Sequence, residues 1–425
     1  MWNRVSKVAV AALGIYLAFF PDHLSSKPKH SQSSRAALTA TESGYTCMGD
    51  TALQGEGNPT FRGTFGGDVP PVRSVIDPFP TFNGIALNPV SGKVLFSDEN
   101  RKSILVYNRA SGSASRLTTQ PVQQVLGPAA GIGFVAGVAI DAPNRELYVV
   151  NNDIEDTVVV FPDDARGNEK PKRYLFVPHQ SWGVALSPSA DEMALSVQQL
   201  SAIVIYRRLA ERLEAPVRII KGPNTEMADP HGIYWDTVHN EIAVANHGNH
   251  SVIGAYGAYE ALSPHPEQAP GGHFLPPSIT VYSGVSKGDS KPIRVLQGEK
   301  TRLNWPMGIA FDALHNEIAV ANNGDSSVLI FRRTESGDAA PVRVIHGNLT
   351  GVDGPVGVAI DTKNNELWVA NYSDHTAVVF PRTATGNIAP KRIVRNAPAD
   401  TPTVGFMNPY AVAFDSKRDQ ILVPN

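Results

Sequence analysis

Short apolar runs recur along most of the chain, and Asn, Asp, Gly or Pro bound each of them. The clearest copies are "PMGIAFDALHNEIAVANNGDSSVLIFRRTESGDAAPVRVIHG" (306–347) and "PVGVAIDTKNNELWVANYSDHTAVVFPRTATGNIAPKRIVRN" (355–396), which align without a gap. Each copy contains four runs that are rich in Val, Ile and Ala and that alternate or are continuously apolar. This pattern predicts four short β-strands per copy, named a to d in chain order.

A glycine marks the first strand of six copies. Successive marking glycines are mostly about 45 to 55 residues apart, which is the length of a four-stranded propeller blade. The interval between Gly232 and Gly308 is longer because the fourth copy carries an insertion. The marking glycines are Gly84, Gly137, Gly183, Gly232, Gly308 and Gly357, and a seventh copy begins at Ala411 in "YAVAFD".

Each end of the repeat region supplies half a copy. Residues 410–425 contain strands a and b, whereas "PTFRGTFGGDVPPVRSVI" (59–76) matches strands c and d of the other copies. Joined in one sheet they would form a two-plus-two clasp, which hides edge strands that otherwise invite pairing between chains. The sequence therefore predicts an all-β protein, with a single β-propeller over residues 58–425. We expect seven four-stranded blades, with six blades as the runner-up.

Three polar motifs recur at the ends of the strands. The a–b turn reads Asp-x-x-x-Asn-Glu, strand d begins with Pro-x-Arg, and strand b ends in Val-Ala-Asn in the strongest copies. We expect the asparagines to cap backbone groups of the next loop. The arginines are expected to be solvated or paired with nearby carboxylates. The residues concerned are Asn151, Asn246, Asn322 and Asn371, with Arg73, Arg173, Arg218, Arg294, Arg343 and Arg392.

The N-terminal residues lack this repeat. A basic stretch precedes an apolar run from Val8 to Phe20. That run suits the core of a signal peptide and is short for a membrane span of roughly 20 residues. We interpret residues 1–20 as a signal peptide or N-terminal anchor, and 21–57 as a flexible linker. The expected location is outside the cytoplasm, periplasmic or extracellular, with tethering to the membrane left open.

Charge and motif content narrow the function classes. The formal net charge is -3 and no basic stripe occurs, so nucleic acid is not an expected partner. Cys47 is the single cysteine, which rules out a disulfide within one chain. Neither a Gly-rich phosphate loop nor a serine nucleophile elbow occurs, so nucleophilic catalysis has no support.

The repeats resemble a known class of sequence. "NEIAVANNGDSSVLIF" and "NELWVANYSDHTAVVF" resemble the NHL and YVTN classes of bacterial β-propeller repeat, and "GDAAPVRVIHG" resembles the c–d segment of exported proteins of that group. The resemblance covers nearly all of the chain after Asn58. It implies a propeller fold and, because most proteins of this repeat type are binding modules, a binding function. Some propellers are metal-assisted lyases or hydrolases, but none of their site motifs is matched here, so no catalytic residue is carried over.

Propeller ligands usually bind at the mouth of the central channel. The b–c and d–a loops share one face of the propeller, which we call the top face. The residue before each strand-a glycine should line the mouth on this face. Its type differs from copy to copy, whereas the residues around it recur. Such a mixture suits an organic ligand or a peptide, and equally a channel that is packed differently in each blade. The candidate ligand contacts are Asn83, Trp182, His231, Met307 and Tyr410.

Blade 4 differs from the other copies in its histidines. His231 precedes the strand-a glycine, His247 and His250 follow strand b, and two more histidines lie in the inserted b–c loop. Neutral imidazole is a common ligand of transition metals. We therefore predict His231, His247 and His250 as ligands of a divalent metal ion with a position left open for water. The competing interpretation is that these histidines are ordinary polar loop residues, since no tight His-x-His motif is present.

These observations favour a non-catalytic, exported binding module that presents its top face to a protein, a glycan or a small-molecule ligand. The alternative is a metal-assisted lyase or hydrolase, lactonase-like, with its site at blade 4.

Overall fold

The computed structural model describes most of the repeat region. For residues 249–250, 273–274, 413–415 and 420–422 it describes the backbone only. The described residues are 78–114, 117–152, 155–250, 273–401, 403, 413–415 and 420–422.

The described strands form six four-stranded antiparallel sheets, each ordered a-b-c-d. Blade 1 contains β1 Phe82–Asn88, β2 Lys93–Asp98, β3 Ser103–Asn108 and β4 Gln123–Leu126; blade 2 contains β5 Val135–Asp141, β6 Glu146–Asn151, β7 Thr157–Pro162 and β8 Arg173–Phe176. Blade 3 contains β9 Ser181–Ser187, β10 Glu192–Val197, β11 Ala202–Arg207 and β12 Arg218–Ile220; blade 4 contains β13 Pro230–Asp236, β14 Glu241–Asn246, β17 Ser278–Ser283 and β18 Arg294–Gln297. Blade 5 contains β19 Pro306–Asp312, β20 Glu317–Asn322, β21 Ser327–Arg332 and β22 Arg343–Ile345; blade 6 contains β23 Pro355–Asp361, β24 Glu366–Asn371, β25 Thr376–Pro381 and β26 Arg392–Arg395.

The other described elements are short. Two further pairs of strands are β15 Asn249–His250 with β16 His273–Phe274, and β27 Ala413–Asp415 with β28 Gln420–Leu422. Three-residue 3-10 turns lie at Pro128–Ala130, Pro223–Thr225, Glu299–Thr301 and Asn323–Asp325. Among the described residues, no helix is both long enough and apolar enough to cross a membrane.

The core consists of apolar clusters between adjacent blades. Strands b and c are buried on both faces because each sheet packs between two neighbours, which explains their continuous apolar runs. One cluster joins each pair of neighbouring blades, and the sixth joins Phe82 and Tyr107 of blade 1 to Trp368 of blade 6. The inner strand β1 contacts both β5 and β23, so the six inner strands follow one another around a ring.

The predicted single propeller with four-stranded blades is therefore confirmed, and the described residues form six blades, which was the runner-up, rather than seven. The prediction of seven was wrong because blade 6 packs directly on blade 1, where a seventh blade would have to stand. The pair β27–β28 is hydrogen-bonded to none of the six described sheets. Residues 59–76, on which the predicted clasp depends, lie outside the described residues.

The marking glycines are explained by the approach of one blade to the next. A Cβ added at any of the six would lie 2.9 Å or less from the carbonyl oxygen of the residue before the next marking glycine. Real side chains do not tolerate such contacts, so only glycine fits at this position. The series ends where Gly357 of blade 6 meets Asn83 of blade 1, which closes the ring.

The arginines of strand d are paired, as expected. Each lies against the glutamate that begins strand b of the same blade, on the face opposite the top face. Arg73 lies outside the described residues. The pairs are Arg173–Glu146, Arg218–Glu192, Arg294–Glu241, Arg343–Glu317 and Arg392–Glu366.

The asparagines that end strand b are loop caps, but of the preceding loop. The side-chain oxygen of Asn322, for example, accepts a hydrogen bond from the backbone of Asn304 at 2.7 Å, and its amide donates to the carbonyl of Arg302 at 3.0 Å. The expectation of capping is confirmed, whereas the expectation that the next loop is capped was wrong. Asn151, Asn246 and Asn371 likewise accept hydrogen bonds from the d–a loop before their blade.

Candidate functional site

Three side chains of metal-ligand type meet at the top of blade 4. Asp229 lies just before β13, His231 is the second residue of β13, and His247 follows β14. Pro230 is paired with Asn246 across the two strands, so the residues that flank this pair are neighbours. One ligand atom from each of the three side chains lies within 4.8 Å of the other two.

Four rings form a column through this cluster. The imidazoles of His231 and His247 are stacked, with centroids 3.5 Å apart and an interplanar angle of 17°. Trp182 of blade 3 lies 4.7 Å from His231, and Trp305 lies 5.4 Å from His247 in a nearly parallel stack. We call these four residues the aromatic column.

Hydrogen bonds fix His231 within the column. Its Nδ1 lies 3.0 Å from the carbonyl oxygen of Asp229, and its Nε2 lies 2.8 Å from Nε2 of Gln198. These contacts are satisfied together when Nδ1–H donates to the carbonyl and the Gln198 amide donates to Nε2. Burial, together with the nearby His247, lowers the pKa of His231 to about 3. His231 is therefore neutral at physiological pH, which is the form that binds metals.

The carboxylate of Asp229 supplies the negative charge of the cluster. Its oxygens lie 3.6 Å from Nδ1 of His231 and 3.6 Å from Nδ1 of His247. Burial alone raises the pKa of Asp229, but the interactions with His247, His231 and Gln198 outweigh it, so that the pKa is lowered below its ordinary value. The group is an anion next to two imidazoles.

A sulfur atom from the next blade also contacts the cluster. Sδ of Met307, the second residue of β19, lies 2.9 Å from Nε2 of His247. The cluster thus brings together one carboxylate, two imidazoles and one thioether.

The predicted metal ligands come together in part. His231 and His247 are adjacent, whereas the side chain of His250 lies outside the described part of the chain. Its backbone pairs with that of His273 in β15–β16. Asp229 takes part in the cluster and was missed by the sequence analysis. Its place two residues before His231, in "ADPHG", was the available signal.

The predicted channel-mouth residues are largely buried. Asn83, His231 and Met307 are buried, and Trp182 packs against the apolar cluster that contains Met307. Tyr410 lies outside the described residues. Ligand contact by these residues stays a prediction.

The residue just before strand a is the better sequence signal for the cluster and the column. It has a positive φ in four blades, as Gln180 (58°), Asp229 (55°), Trp305 (49°) and Gly354 (52°). Sequence comparison at this position would have found both Asp229 and Trp305.

Comparisons with known proteins give little beyond this geometry. No protein-family model matches the chain, and no curated protein matches it. Among solved structures, the hydrazine synthase of Kuenenia stuttgartiensis is similar with a TM-score of 0.48 and 13% identity, over 83% of this chain and 97% of that chain. At this level of similarity, the likeness carries no argument about activity or partners.

Proposed function

We propose that the chain is an exported, non-catalytic binding propeller that takes its ligand on the top face, over the aromatic column. Trp305 carries this proposal. Its ring is stacked on His247, and its side chain is 51% exposed. Its backbone has a φ of 49°.

The conformation of Trp305 is unfavourable for a residue that serves packing alone. A left-handed backbone costs a bulky residue about 1 kcal/mol or more, and strain of this kind concentrates at ligand sites. A water-exposed indole face backed by a second ring is a suitable stacking surface. The equivalent positions in blades 3 and 6 carry Gln180 and Gly354, which offer no such surface.

The chemistry beside the exposed ring indicates the class of ligand. The carboxylate of Asp229 lies beside the two imidazoles in the middle of the column, one of which stacks on Trp305, and the amide of Gln198 donates to this carboxylate at 3.1 Å. An apolar ring face with a few polar groups at its side suits a sugar ring or a small cyclic molecule. A glycan or a small ring-bearing ligand is therefore the preferred class among those that the sequence left open.

Ligand screening with a matched pair of variants tests this proposal. The full chain would be screened against a glycan array and a library of cyclic metabolites, with tryptophan fluorescence to measure Kd. Trp305→Ala should weaken binding of every genuine ligand by about tenfold or more. Leu314→Ala removes a 73% exposed apolar residue from an a–b turn and should leave Kd unchanged. Ligands that bind both variants equally well would refute a site at Trp305.

The carboxylate–imidazole cluster favours a second candidate function, a metal-assisted hydrolase or lyase. An ion held by His231 and His247, with Asp229 beside both rings, would leave positions for water, which such an ion activates. The test is turnover of a lactone and ester library by the metal-loaded chain. Loss of turnover in Asp229→Asn would support this function, and equal turnover in that variant would exclude it.

Export is tested separately. We expect the full chain, expressed in a bacterium, to leave the cytoplasm, and a chain that lacks residues 1–20 to stay there. Equal distribution of the two would contradict export.

A further inference from the structure

The donor atoms of the blade 4 cluster are arranged closely enough to share one ion. In a tetrahedral site, two ligand atoms about 2.1 Å from an ion stand about 3.4 Å apart. The carboxylate oxygens of Asp229 lie 3.6 Å from Nδ1 of each histidine, so the nitrogen of each ring that is left for an ion is Nε2. The centroids of the two rings are 3.5 Å apart, and Sδ of Met307 lies 2.9 Å from Nε2 of His247. All four side chains are buried or nearly so, and three of them come from the ends of β13 and β14.

The types of donor select the ion. Ca²⁺ needs six to eight oxygen ligands, and Mg²⁺ needs near-ideal octahedral oxygen geometry, so one carboxylate is a poor site for either. Imidazole suits Zn, Cu, Fe and Ni, whereas a thioether favours Cu(I) among these. Copper(II) also heads the affinity order of divalent ions for nitrogen and oxygen donors. The sulfur atom of Met307 therefore shifts the preference from zinc to copper.

We propose that Nε2 of His231, Nε2 of His247 and Sδ of Met307 form a mononuclear copper site at the top of blade 4, with Asp229 as a positioning residue that holds the two imidazoles from their Nδ1 side. The site does not depend on the ligand proposed at Trp305, so that either can fail alone. The metal-assisted alternative function does require an ion here.

Binding requires a local rearrangement. The two imidazoles are stacked, so the in-plane lone pairs of their nitrogens run side by side instead of converging. One ring must turn for both to coordinate. Because Nδ1 of His231 donates to the carbonyl of Asp229, Nε2 is the ligand nitrogen, and the amide of Gln198 must move away from it. A turn of His247 would disturb its stack on Trp305, so copper binding should change tryptophan fluorescence.

Affinity measurements on the full chain, purified without a polyhistidine tag and treated with a chelator, test the site. Competition with a coloured Cu(I) chelator should show one tightly bound equivalent. Met307→Leu conserves volume and should lower Cu(I) affinity by about tenfold or more, with Zn(II) affinity unchanged within about twofold. Asp229→Asn should lower Cu(II) affinity by about tenfold or more. It retains a residue type that accepts the left-handed backbone of position 229, so the fold should persist.

A second pair of variants separates this site from other copper binding. His247→Gln should abolish the tight equivalent, whereas His315→Ala should not. His315 also lies beside a carboxylate, that of Asp312 at 2.7 Å, but far from the cluster, in an a–b turn. Retention of copper by His247→Gln, or absence of a stoichiometric equivalent in the wild type, would overturn the site. Zn(II) bound more tightly than copper, with Cu(I) affinity unchanged in Met307→Leu, would overturn its assignment to copper.

Discussion

The carbonyl oxygen of Asn83 lies directly against Gly357 where blade 1 meets blade 6, so that a Cβ at position 357 would stand 2.7 Å from it. We predict that Gly357→Ala lowers the free energy of unfolding by about 3 kcal/mol, because the backbone of one blade must shift to relieve the contact. Urea unfolding followed by tryptophan fluorescence measures this loss.

Gly386→Ala is the matched control. Nothing lies within 4 Å of a Cβ at that position, but φ is +79°, so only the backbone penalty of about 1 kcal/mol applies. Equal losses in the two variants would contradict close packing of blades 1 and 6 at Gly357.

Asp98 stands where blades 2, 4, 5 and 6 have asparagine at the end of strand b. Its carboxylate accepts hydrogen bonds from the backbone of Thr81 at 2.8 Å and from the hydroxyl of Ser103 at 2.6 Å. Burial raises its pKa to about 6, against the opposing effects of these bonds and of the nearby Arg101. The native state thus holds the proton more tightly than the unfolded chain, and stability falls as pH rises from about 4 to 6.

We therefore predict that Asp98→Asn is more stable than the wild type by about 1 to 2 kcal/mol at pH 8, and no more stable at pH 4. An asparagine amide can donate to Ser103, as the amide of Asn371 does to Thr376 at 2.9 Å. Thermal unfolding at a series of pH values measures the difference. The reverse change, Asn371→Asp, should cost more stability at pH 8 than at pH 4. A difference that does not vary with pH would contradict the buried charge at Asp98.

Glu366 is held by cations from two blades. Arg392 and Lys391 of its own blade lie 2.8 Å away, and Arg109 of blade 1 lies 3.0 Å away. Burial alone raises the pKa of Glu366, but these hydrogen bonds outweigh it and lower the pKa to about 2. Because the native pKa lies below the ordinary value, the stabilisation is present above about pH 4.5 and is lost as pH falls towards 2.

Glu366→Gln should accordingly cost about 2 kcal/mol at pH 7, and the difference from the wild type should shrink as pH falls from 4.5 to 2. The exposed Glu211→Gln is the control and should change stability little at any pH. A cost for Glu366→Gln that is the same at pH 7 and pH 3 would show that the charge itself is not what stabilises this junction.

Strands and blades could be predicted from the sequence because they depend on local apolar patterns that repeat. The number of blades could not, because it depends on which copies meet across the ring. Residues 410–415 resemble a strand a, yet Phe82 of blade 1 packs with Trp368 of blade 6. Such a contact between residues far apart in sequence has no local signal.

In the candidate site too, some residues could be predicted from local sequence and others could not. His231 and His247 could be predicted as neighbours because the pairing of β13 with β14 places them so. Asp229 and Trp305 were missed because left-handed backbone turns place their side chains at the cluster. No propensity predicts such a turn for tryptophan. Met307 was predicted as a ligand contact, but its approach to His247 depends on packing between blades.

Asp338 joins blade 5 to blade 4 by accepting a hydrogen bond from the backbone of Lys300 at 2.7 Å. Asn387 makes the same contact with the backbone of Leu349 at 2.8 Å, so an acceptor is required and a charge is not. We predict that Asp338→Ala lowers the free energy of unfolding by about 1 kcal/mol, whereas Asp338→Asn changes it by less than about 0.5 kcal/mol. Urea unfolding measures both, and amide exchange at Lys300 reports the contact itself. If the two variants were equally destabilised, the ion pair of Asp338 with the Lys300 ammonium, at 3.9 Å, would be the stabilising contact instead.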